Sequence, residues 1–224
     1  MSDRTPDRLE PETATEISRR PPAIFVGSSP GLDFLNSIAT PIDTPFDWID
    51  DGEGLLNWLQ QARFVPAEAV RDIRAQALPD ELDKVAGQAR SLREWFRNFV
   101  RQHMGRPLET EALAQLEPLN RLLARDESFS RITPQSGGGN RPFQLQAVRG
   151  WRTPEALLLP IGEALAQLVC TEDLSNVKAC EGQPCTLFFA DHTRGRARRW
   201  CSMAICGNRA KQAAHRHRAE ADRR

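Results

Sequence analysis

Four cysteines in the last fifth of the chain constrain its fold more than any other feature. They form two pairs, Cys180 with Cys185 and Cys201 with Cys206; each pair encloses four residues, and fifteen residues separate the pairs. Two close pairs joined by a spacer bring four thiolates to one tetrahedral Zn²⁺. The alternative is four small residues buried in an apolar core. A glycine and a proline within the first pair favour a chain reversal there, so the pattern predicts one structural zinc ion.

The surrounding sequence favours a structural metal site over a catalytic one. Catalytic zinc keeps an open coordination position and needs a nearby general base. The chain contains neither the HExxH helix of zinc proteases nor the His-x-Glu that zinc deaminases combine with Pro-Cys-x-x-Cys. His192 could replace one cysteine, but four thiolates already complete the set. The fifth cysteine, Cys170, is predicted to lie in the core of the preceding domain. We therefore expect that the protein is not an enzyme.

Basic residues are concentrated at the same end of the chain. The formal net charge is zero, but residues 191–224 hold ten Lys/Arg against three Asp/Glu, which gives +7 there and −7 in residues 1–190. Such a division indicates an end that binds a polyanion. Arginine pairs with phosphate and with the guanine edge, and asparagine can read adenine. The predicted nucleic-acid-binding residues are Arg194, Arg196, Arg198, Arg199, Trp200, Asn208, Arg209, Lys211 and Arg216.

Other interpretations of this basic end stay open. The charges could form a solvated face, or the end could dock on the acidic face of its own first domain. Asn208 at a helix start could equally be a cap, and Trp200 could be core instead of a platform that stacks on a base. DNA is favoured over RNA as the partner, and competition between duplex DNA and single-stranded RNA separates the two.

The residues before the cysteines predict a mostly helical domain. Apolar residues recur at three- and four-residue intervals from about residue 79 to 104, which predicts a long helix. Shorter helices are expected around Leu55–Leu59, after Pro66, at 113–123 and from Pro160. Segments 129–133 and 142–148 flank Ser-Gly-Gly-Gly-Asn and predict a β-hairpin. The expected fold class is α+β: a predominantly helical N-terminal domain with a β-hairpin, then a small treble-cleft or ribbon-like zinc-binding unit that ends in a basic helix.

Composition changes divide the chain into three parts. Residues 1–22 are polar and contain four prolines, which is typical of a disordered tail. Residues 23–173 form the helical domain and 174–224 the zinc unit. No apolar run approaches the roughly 18–20 residues needed to span a bilayer, and the tail lacks the apolar core of a signal peptide. We therefore expect no membrane contact and a reducing cytoplasm, where metal binding is favoured over disulfides.

A second candidate site lies in the helical domain. Asp33 and Asn36 occur within an apolar stretch and must find partners if they are buried. Arg93 on the long helix is a candidate partner for Asp33, most simply as a structural ion pair. A cavity near Asp33, Asn36, Trp58 and Arg93 would instead indicate a small-molecule ligand or an enzyme.

Two segments around the second cysteine pair resemble the CGNR zinc finger family. They are Trp-Cys-Ser-Met at 200–203 and Cys-Gly-Asn-Arg-x-Lys at 206–211. The spacing of the first cysteine pair and Arg198-Arg199 fit the same layout. The first domain is similar to the ABATE domain that accompanies this finger in bacteria, on Leu-Asp-Phe-Leu-Asn-Ser at 32–37, Leu55–Leu59 and Leu-Arg-Glu at 92–94. The resemblance spans about residues 25–218.

The resemblance implies a bacterial stress-induced transcription regulator whose finger binds one zinc ion and nucleic acid. By position it makes Cys180, Cys185, Cys201 and Cys206 the zinc ligands. Together with the charge division, it leads us to predict a cytoplasmic DNA-binding regulator whose N-terminal domain senses a small-molecule effector or forms a homodimer. The alternatives are an RNA-binding zinc-ribbon-like protein, or a small-molecule-binding protein or enzyme with its site in the N-terminal domain.

Overall fold

Helices make up most of the architecture, with small antiparallel strand pairs between them. The computed structural model describes residues 20–40, 44–135 and 142–221. The helices are α1 (Pro30–Leu35), α2 (Gly52–Gln61), α3 (Ala67–Gln76), α4 (Glu81–His103), α5 (Glu117–Leu123), α6 (Leu158–Thr171) and α7 (Asn208–Ala221). The strands pair as β1 (Ile38–Ala39) with β2 (Phe46–Asp47), β3 (Ser128–Pro134) with β4 (Phe143–Arg149), and β5 (Val177–Ala179) with β6 (Phe188–Ala190). This arrangement confirms the predicted α+β class.

Local chemistry explains where several helices begin. The Ser29 hydroxyl accepts a hydrogen bond from the Leu32 amide at the start of α1, and the Asp51 carboxylate accepts one from the Gly54 amide at the start of α2. Both side chains satisfy amides that have no partner within their helix. Pro66 directly precedes α3. These caps set the short helices against α4, whose apolar stripe is the centre of the core.

Two predictions for the helical domain differ from the structure, one about a helix and one about the burial of a cysteine. The segment predicted as one helix over 113–123 is a 3₁₀ turn, Thr110–Leu116, followed by α5, because Pro118 fits only the first turn of a helix. The prediction that Cys170 is core is wrong, since its side chain is exposed. Helix α6 turns Leu165 and Leu168 inward, and a residue two positions after Leu168 lies on the opposite face.

Two other predictions concern residues that the structure does not describe or describes only in part. The predicted tail falls almost wholly before residue 20, and the glycine-rich turn at 136–140 lies in the gap between β3 and β4.

The boundary at 173/174 stays a prediction; a short 3₁₀ turn, Leu174–Asn176, follows α6 there. No helix in the described part of the chain is long and apolar enough to cross a bilayer.

The hydrophobic core continues from the helices into the cysteine-containing unit. Leu187, Phe188 and Phe189 of that unit are at most 2% exposed and belong to the same buried cluster as Leu32 and Phe96 of the helical domain. Strand β6 packs against α1, and the Ala190 amide donates a hydrogen bond to the Gly27 carbonyl at 2.9 Å. The last unit is therefore built onto the helical domain.

Candidate metal centre and basic surface

The four cysteines of the two pairs meet in one buried cluster. Cys180 directly follows β5 and Cys185 precedes β6. Cys201 precedes the helical turn Met203–Gly207 that leads into α7, and Cys206 lies within that turn. Their Sγ atoms all lie within 4.8 Å of one another. The Cys185–Cys201 and Cys201–Cys206 sulfur distances are 3.9 Å and 3.6 Å, and a tetrahedron with Zn–S bonds of about 2.3 Å has an edge of about 3.8 Å. The donor set therefore fits Zn²⁺.

Thiol ionisation gives a chemical reason for a cation in this cluster. A hydrogen bond from Cys201 lowers the pKa of Cys185 to about 5, and burial raises the pKa of Cys206 to about 12. The same hydrogen bond, together with burial, raises the pKa of Cys201 well above its usual range. Four buried thiolates repel one another without a divalent cation, and Zn²⁺ supplies the missing charge. The protein binds one structural zinc ion, and four thiolates complete its coordination.

Donors around the sulfurs offset the negative charge of a four-thiolate zinc site. The Cys201 amide donates to Cys180 Sγ at 3.3 Å and the Gly182 amide does so at 3.5 Å. Arg209 Nη2 donates to Cys206 Sγ at 3.4 Å. Such outer contacts orient the ligands and tune the metal. They place Arg209, predicted to bind nucleic acid, beside the zinc ligands.

Two glycines allow the close approach that this cluster requires. A Cβ on Gly182 would lie 2.9 Å from the Cys206 Cβ, and a Cβ on Gly207 would lie 2.5 Å from the Met203 Sδ. Both distances are shorter than van der Waals contact. Packing against a zinc ligand therefore requires glycine at 182, whereas the exposed end of the Met203 side chain can move away from a side chain at 207.

Asp191 organises the loop between the two cysteine pairs, a role that the sequence motif around it does not specify. Its buried carboxylate accepts hydrogen bonds from Lys178 Nζ at 2.8 Å, the Thr193 hydroxyl at 2.6 Å and the Arg198 amide at 2.9 Å. Burial alone would raise its pKa, but these donors hold the pKa of Asp191 well below its usual range. An aspartate two residues before a threonine is an Asx-turn signal, so the sequence offered a weak indication.

Arg198 connects the zinc unit to the N-terminal segment of the helical domain. Its guanidinium lies 4.3 Å from the Phe189 ring centroid and donates to the Trp200 carbonyl at 2.9 Å. It also donates to the Val26 carbonyl and the Ser28 hydroxyl, both at 3.4 Å. These contacts turn the guanidinium inward, so the structure gives Arg198 an internal role.

The neighbouring Arg199 and Trp200 lie closer to solvent. Arg199 is 62% exposed, and its Nε donates to Glu181 Oε2 at 2.5 Å. Its guanidinium is also 5.3 Å from the Trp200 ring centroid. Trp200 is half-buried and packs against the core cluster. The Trp200 ring therefore contacts other parts of the protein and is not free to stack on a base.

The remaining predicted nucleic-acid contacts form an exposed basic surface. On α7 the exposed residues are 208, 211, 212, 215 and 216, whereas 209, 210 and 213 are half-buried. The exposed positions recur at three- and four-residue intervals, so Asn208, Lys211 and Arg216 all lie on the solvent-facing side of the helix. Ser202, and not Asn208, caps the preceding turn. In the loop, Arg194 and Arg196 are also exposed. Within the described residues, Arg194, Lys211 and Arg216 form no ion pair.

Asn36 and Arg97 join the helical domain to β6. The Asn36 side chain donates to the Phe188 carbonyl and accepts from the Phe188 amide, each at 2.8 Å in a buried environment. Arg97 donates to the Leu35 carbonyl at 2.6 Å and to the Thr186 carbonyl at 3.3 Å, with its guanidinium 4.9 Å from the Phe188 ring centroid. Burial lowers the pKa of Arg97 to about 10. Sequence alone gave no signal for Arg97.

The four residues of the predicted ligand pocket each have a different environment. Arg93 pairs with Asp47 at 2.7 Å, so the expected pair between Arg93 and Asp33 is wrong. Asp33 instead accepts from the Gly27 amide at 2.8 Å, and burial raises its pKa to about 6. Trp58 is in the core and borders a surface cavity of about 220 Å³ whose other walls come from residues 20, 22, 48 and α2. The Asn36 side chain forms its hydrogen bonds with the Phe188 backbone.

Comparison with known families identifies both parts of the chain. Residues 28–172 match the ABATE family, described as "Putative stress-induced transcription regulator". Residues 176–219 match the CGNR zinc finger. The first match covers more than half of the chain, and the second contains the four cysteines. A search of curated proteins found no match.

Proposed function

Because the chain belongs to the ABATE family and ends in a CGNR zinc finger, we propose that it is a cytoplasmic bacterial transcription regulator that binds duplex DNA through the finger. The observation that carries this proposal is the exposed stripe of Asn208, Lys211 and Arg216 on α7, together with the exposed loop arginines Arg194 and Arg196. The zinc thiolates hold the loop and the helix start in one rigid unit. Preorganised arginines and lysines attract phosphate, and an exposed amide can contact a base edge.

The remaining basic residues of the finger have supporting roles in this proposal. Arg198 ties the finger to the helical domain and Arg209 lies against a zinc ligand, so both hold the DNA-binding surface in place. Arg199 can exchange its exposed ion pair with Glu181 for a phosphate. The protein acts by binding, because four thiolates fill the metal coordination.

Aromatic burial supports duplex DNA over single-stranded RNA. Recognition of unpaired bases depends on aromatic platforms that stack on them. Phe188 and Phe189 are buried, and Trp200 is half-buried beside Arg199. The finger therefore presents basic side chains but no aromatic ring that is free to stack on a base, and such a surface suits the phosphates of a duplex.

The experiment measures binding of full-length, zinc-loaded protein to labelled random-sequence duplex across a range of salt concentrations. Four phosphate contacts predict that log K falls with log salt with a slope of roughly −3 to −4. Changing Arg194, Lys211 and Arg216 together to alanine should reduce the magnitude of that slope by about 2 to 3. An excess of single-stranded RNA should compete weakly.

The matched control removes two arginines and one lysine from the helical domain. Arg71, Lys84 and Arg121 are exposed there, and their alanine variant should keep the wild-type slope. Binding that is absent or insensitive to salt, or a finger variant that behaves like this control, would refute the proposal. Stronger binding to single-stranded RNA than to duplex would favour the RNA alternative.

Regulation is proposed to enter through the N-terminal domain. A cavity of about 470 Å³ lies at the end of α5 and the start of the 154–157 turn, with Arg125 and Arg152 among its lining residues. Neither arginine forms an ion pair within the described residues. Glu127 and Glu155 line the same cavity, so a small effector that carries both a positive and a negative charge would suit it, and isothermal titration with amino acids on wild type and Arg152→Ala tests it. Equal heats for both proteins would reject this location.

A further inference from the structure

The β3–β4 hairpin is the least buried regular element of the helical domain. Its strands pair in register over seven residues each, from Ser128 opposite Arg149 to Pro134 opposite Phe143. None of the residues in these two strands is buried. The ribbon is therefore anchored at its base and projects from the helices.

One face of this ribbon is apolar and the other is polar toward its outer end. Ile132 pairs with Leu145, and two positions further along Pro134 pairs with Phe143, so all four side chains point to the same side. Ile132, Phe143 and Leu145 are 71%, 65% and 72% exposed. The opposite side carries polar residues at the neighbouring pairs, namely Arg131, Thr133, Gln144 and Gln146.

An exposed face of this kind needs a partner. A two-stranded ribbon alone is marginal in water and gains stability when its apolar face packs on another surface. Three large apolar side chains at more than three-fifths exposure form a contiguous patch, which marks an interaction site. Within the described residues the patch is covered by no helix or strand.

The charge of the patch favours a second copy of the chain as its partner. Among the described residues of β3 and β4, the only charged one that shares this side is Arg149, which is 16% exposed and paired with Asp126 at 2.6 Å and Glu163 at 2.9 Å. Two identical faces can therefore meet without like-charge repulsion. A twofold axis brings the same patch against itself, which requires only self-complementary shape and polarity.

The area of the patch agrees with this partner. Six large apolar side chains, each about two-thirds exposed, together with their smaller neighbours, remove at most on the order of 1,000 Å² from water. This is near the lower limit for a specific interface. We propose that two copies of this protein pack their β3–β4 hairpins face to face about a twofold axis, through Ile132, Phe143 and Leu145, to form a reversible homodimer.

Sedimentation velocity on the full-length, zinc-loaded protein tests this proposal from about 1 to 100 µM, a range that detects weak, reversible association. Wild type should shift from monomer to dimer with rising concentration. Leu145→Lys should raise the dimer dissociation constant by about a hundredfold or more, because the axis brings like charges together. Gln144→Lys puts the same charge on the opposite side of the ribbon and should leave the constant within about threefold of wild type.

A mixing experiment distinguishes a lost interface from a misfolded hairpin. Leu145→Lys and Leu145→Glu should each be monomeric alone, retain one zinc per chain, and form a mixed dimer when combined. A wild type that stays monomeric throughout the range would overturn the proposal. So would an unchanged dimer in Leu145→Lys, equal dissociation caused by Gln144→Lys, or failure of the two charged variants to associate.

Discussion

Replacing Asn36 by alanine tests how the zinc finger is held on the helical domain. The Asn36 amide makes two hydrogen bonds of 2.8 Å with one residue of β6, one to the Phe188 carbonyl and one from the Phe188 amide. Asn36 is 1% exposed and Phe188 is 2% exposed. The side chain thus pairs with β6 as a neighbouring strand would, and the alanine variant leaves both backbone groups without that partner.

The expected loss of stability follows from those two unpaired groups. A buried donor or acceptor left without a partner costs about 1–3 kcal/mol. Two such groups predict a loss of about 2–6 kcal/mol, toward the lower end if the hairpin relaxes. A domain of this kind has a total unfolding free energy of about 5–15 kcal/mol. The variant should therefore be strongly destabilised.

Urea unfolding of the zinc-loaded protein, followed by Trp fluorescence and far-UV circular dichroism, measures this loss. Asn120→Ala is the matched control because Asn120 lies exposed on α5, and it should change the unfolding free energy by less than about 0.5 kcal/mol. The two probes should give coincident transitions if the finger and the helices unfold together. A loss below about 1 kcal/mol for Asn36→Ala would refute the reasoning, because it would mean that the two hydrogen bonds contribute no net stability.

Three further predictions concern the zinc ligands, Arg198 and Asp33. Cys206→Ser should reduce the zinc content from one equivalent to near zero in a metal assay. Removing zinc with a chelator should lower the melting temperature of the whole chain in one transition, because the finger shares its core with the helical domain. A separate melting transition for the finger would contradict this. Arg198→Ala should lower the free energy of unfolding in urea by about 1–3 kcal/mol, because the carbonyl groups that Arg198 contacts lose a donor. Replacing the exposed Arg199 by alanine should lower it by less than about 0.5 kcal/mol. Equal losses for the two variants would count against the internal role of Arg198. Burial raises the pKa of Asp33 from 3.8 to about 6, so its ionisation destabilises the fold as pH rises through that interval. The unfolding free energy of Asp33→Asn relative to wild type should therefore increase from about pH 4 to pH 6 and level off above about pH 7. A difference that does not vary with pH would contradict the pKa.

Zinc coordination and the main helices could be predicted because their signals are short in range. The two cysteine pairs identify four thiolates whatever the rest of the chain does, since a tetrahedral ion requires only ligand type and spacing. Apolar periodicity predicted α4, and the glycine-rich segment predicted the β3–β4 pairing. Family motifs then associated the finger with the domain that precedes it.

The roles of individual polar side chains depended on contacts across the fold. Arg198 and Arg199 are adjacent and chemically identical, yet only Arg198 reaches the Val26 carbonyl, 172 residues away in the chain. Asn36 was recognised as a residue that needs partners, but its partner, Phe188, is 152 residues distant. Such pairings arise from packing between separate elements, which no local pattern encodes.

By itself, the sequence determined the metal ligands, the fold class and the basic end, because coordination chemistry, periodicity and charge are properties of neighbouring residues. The tertiary structure decided which arginines face inward, that Cys170 is exposed and that the finger shares one core with the helices. It also decided that Ile132, Phe143 and Leu145 lie uncovered on one side of a ribbon. Burial depends on the whole chain, because a side chain is buried only when residues far away in the sequence pack over it.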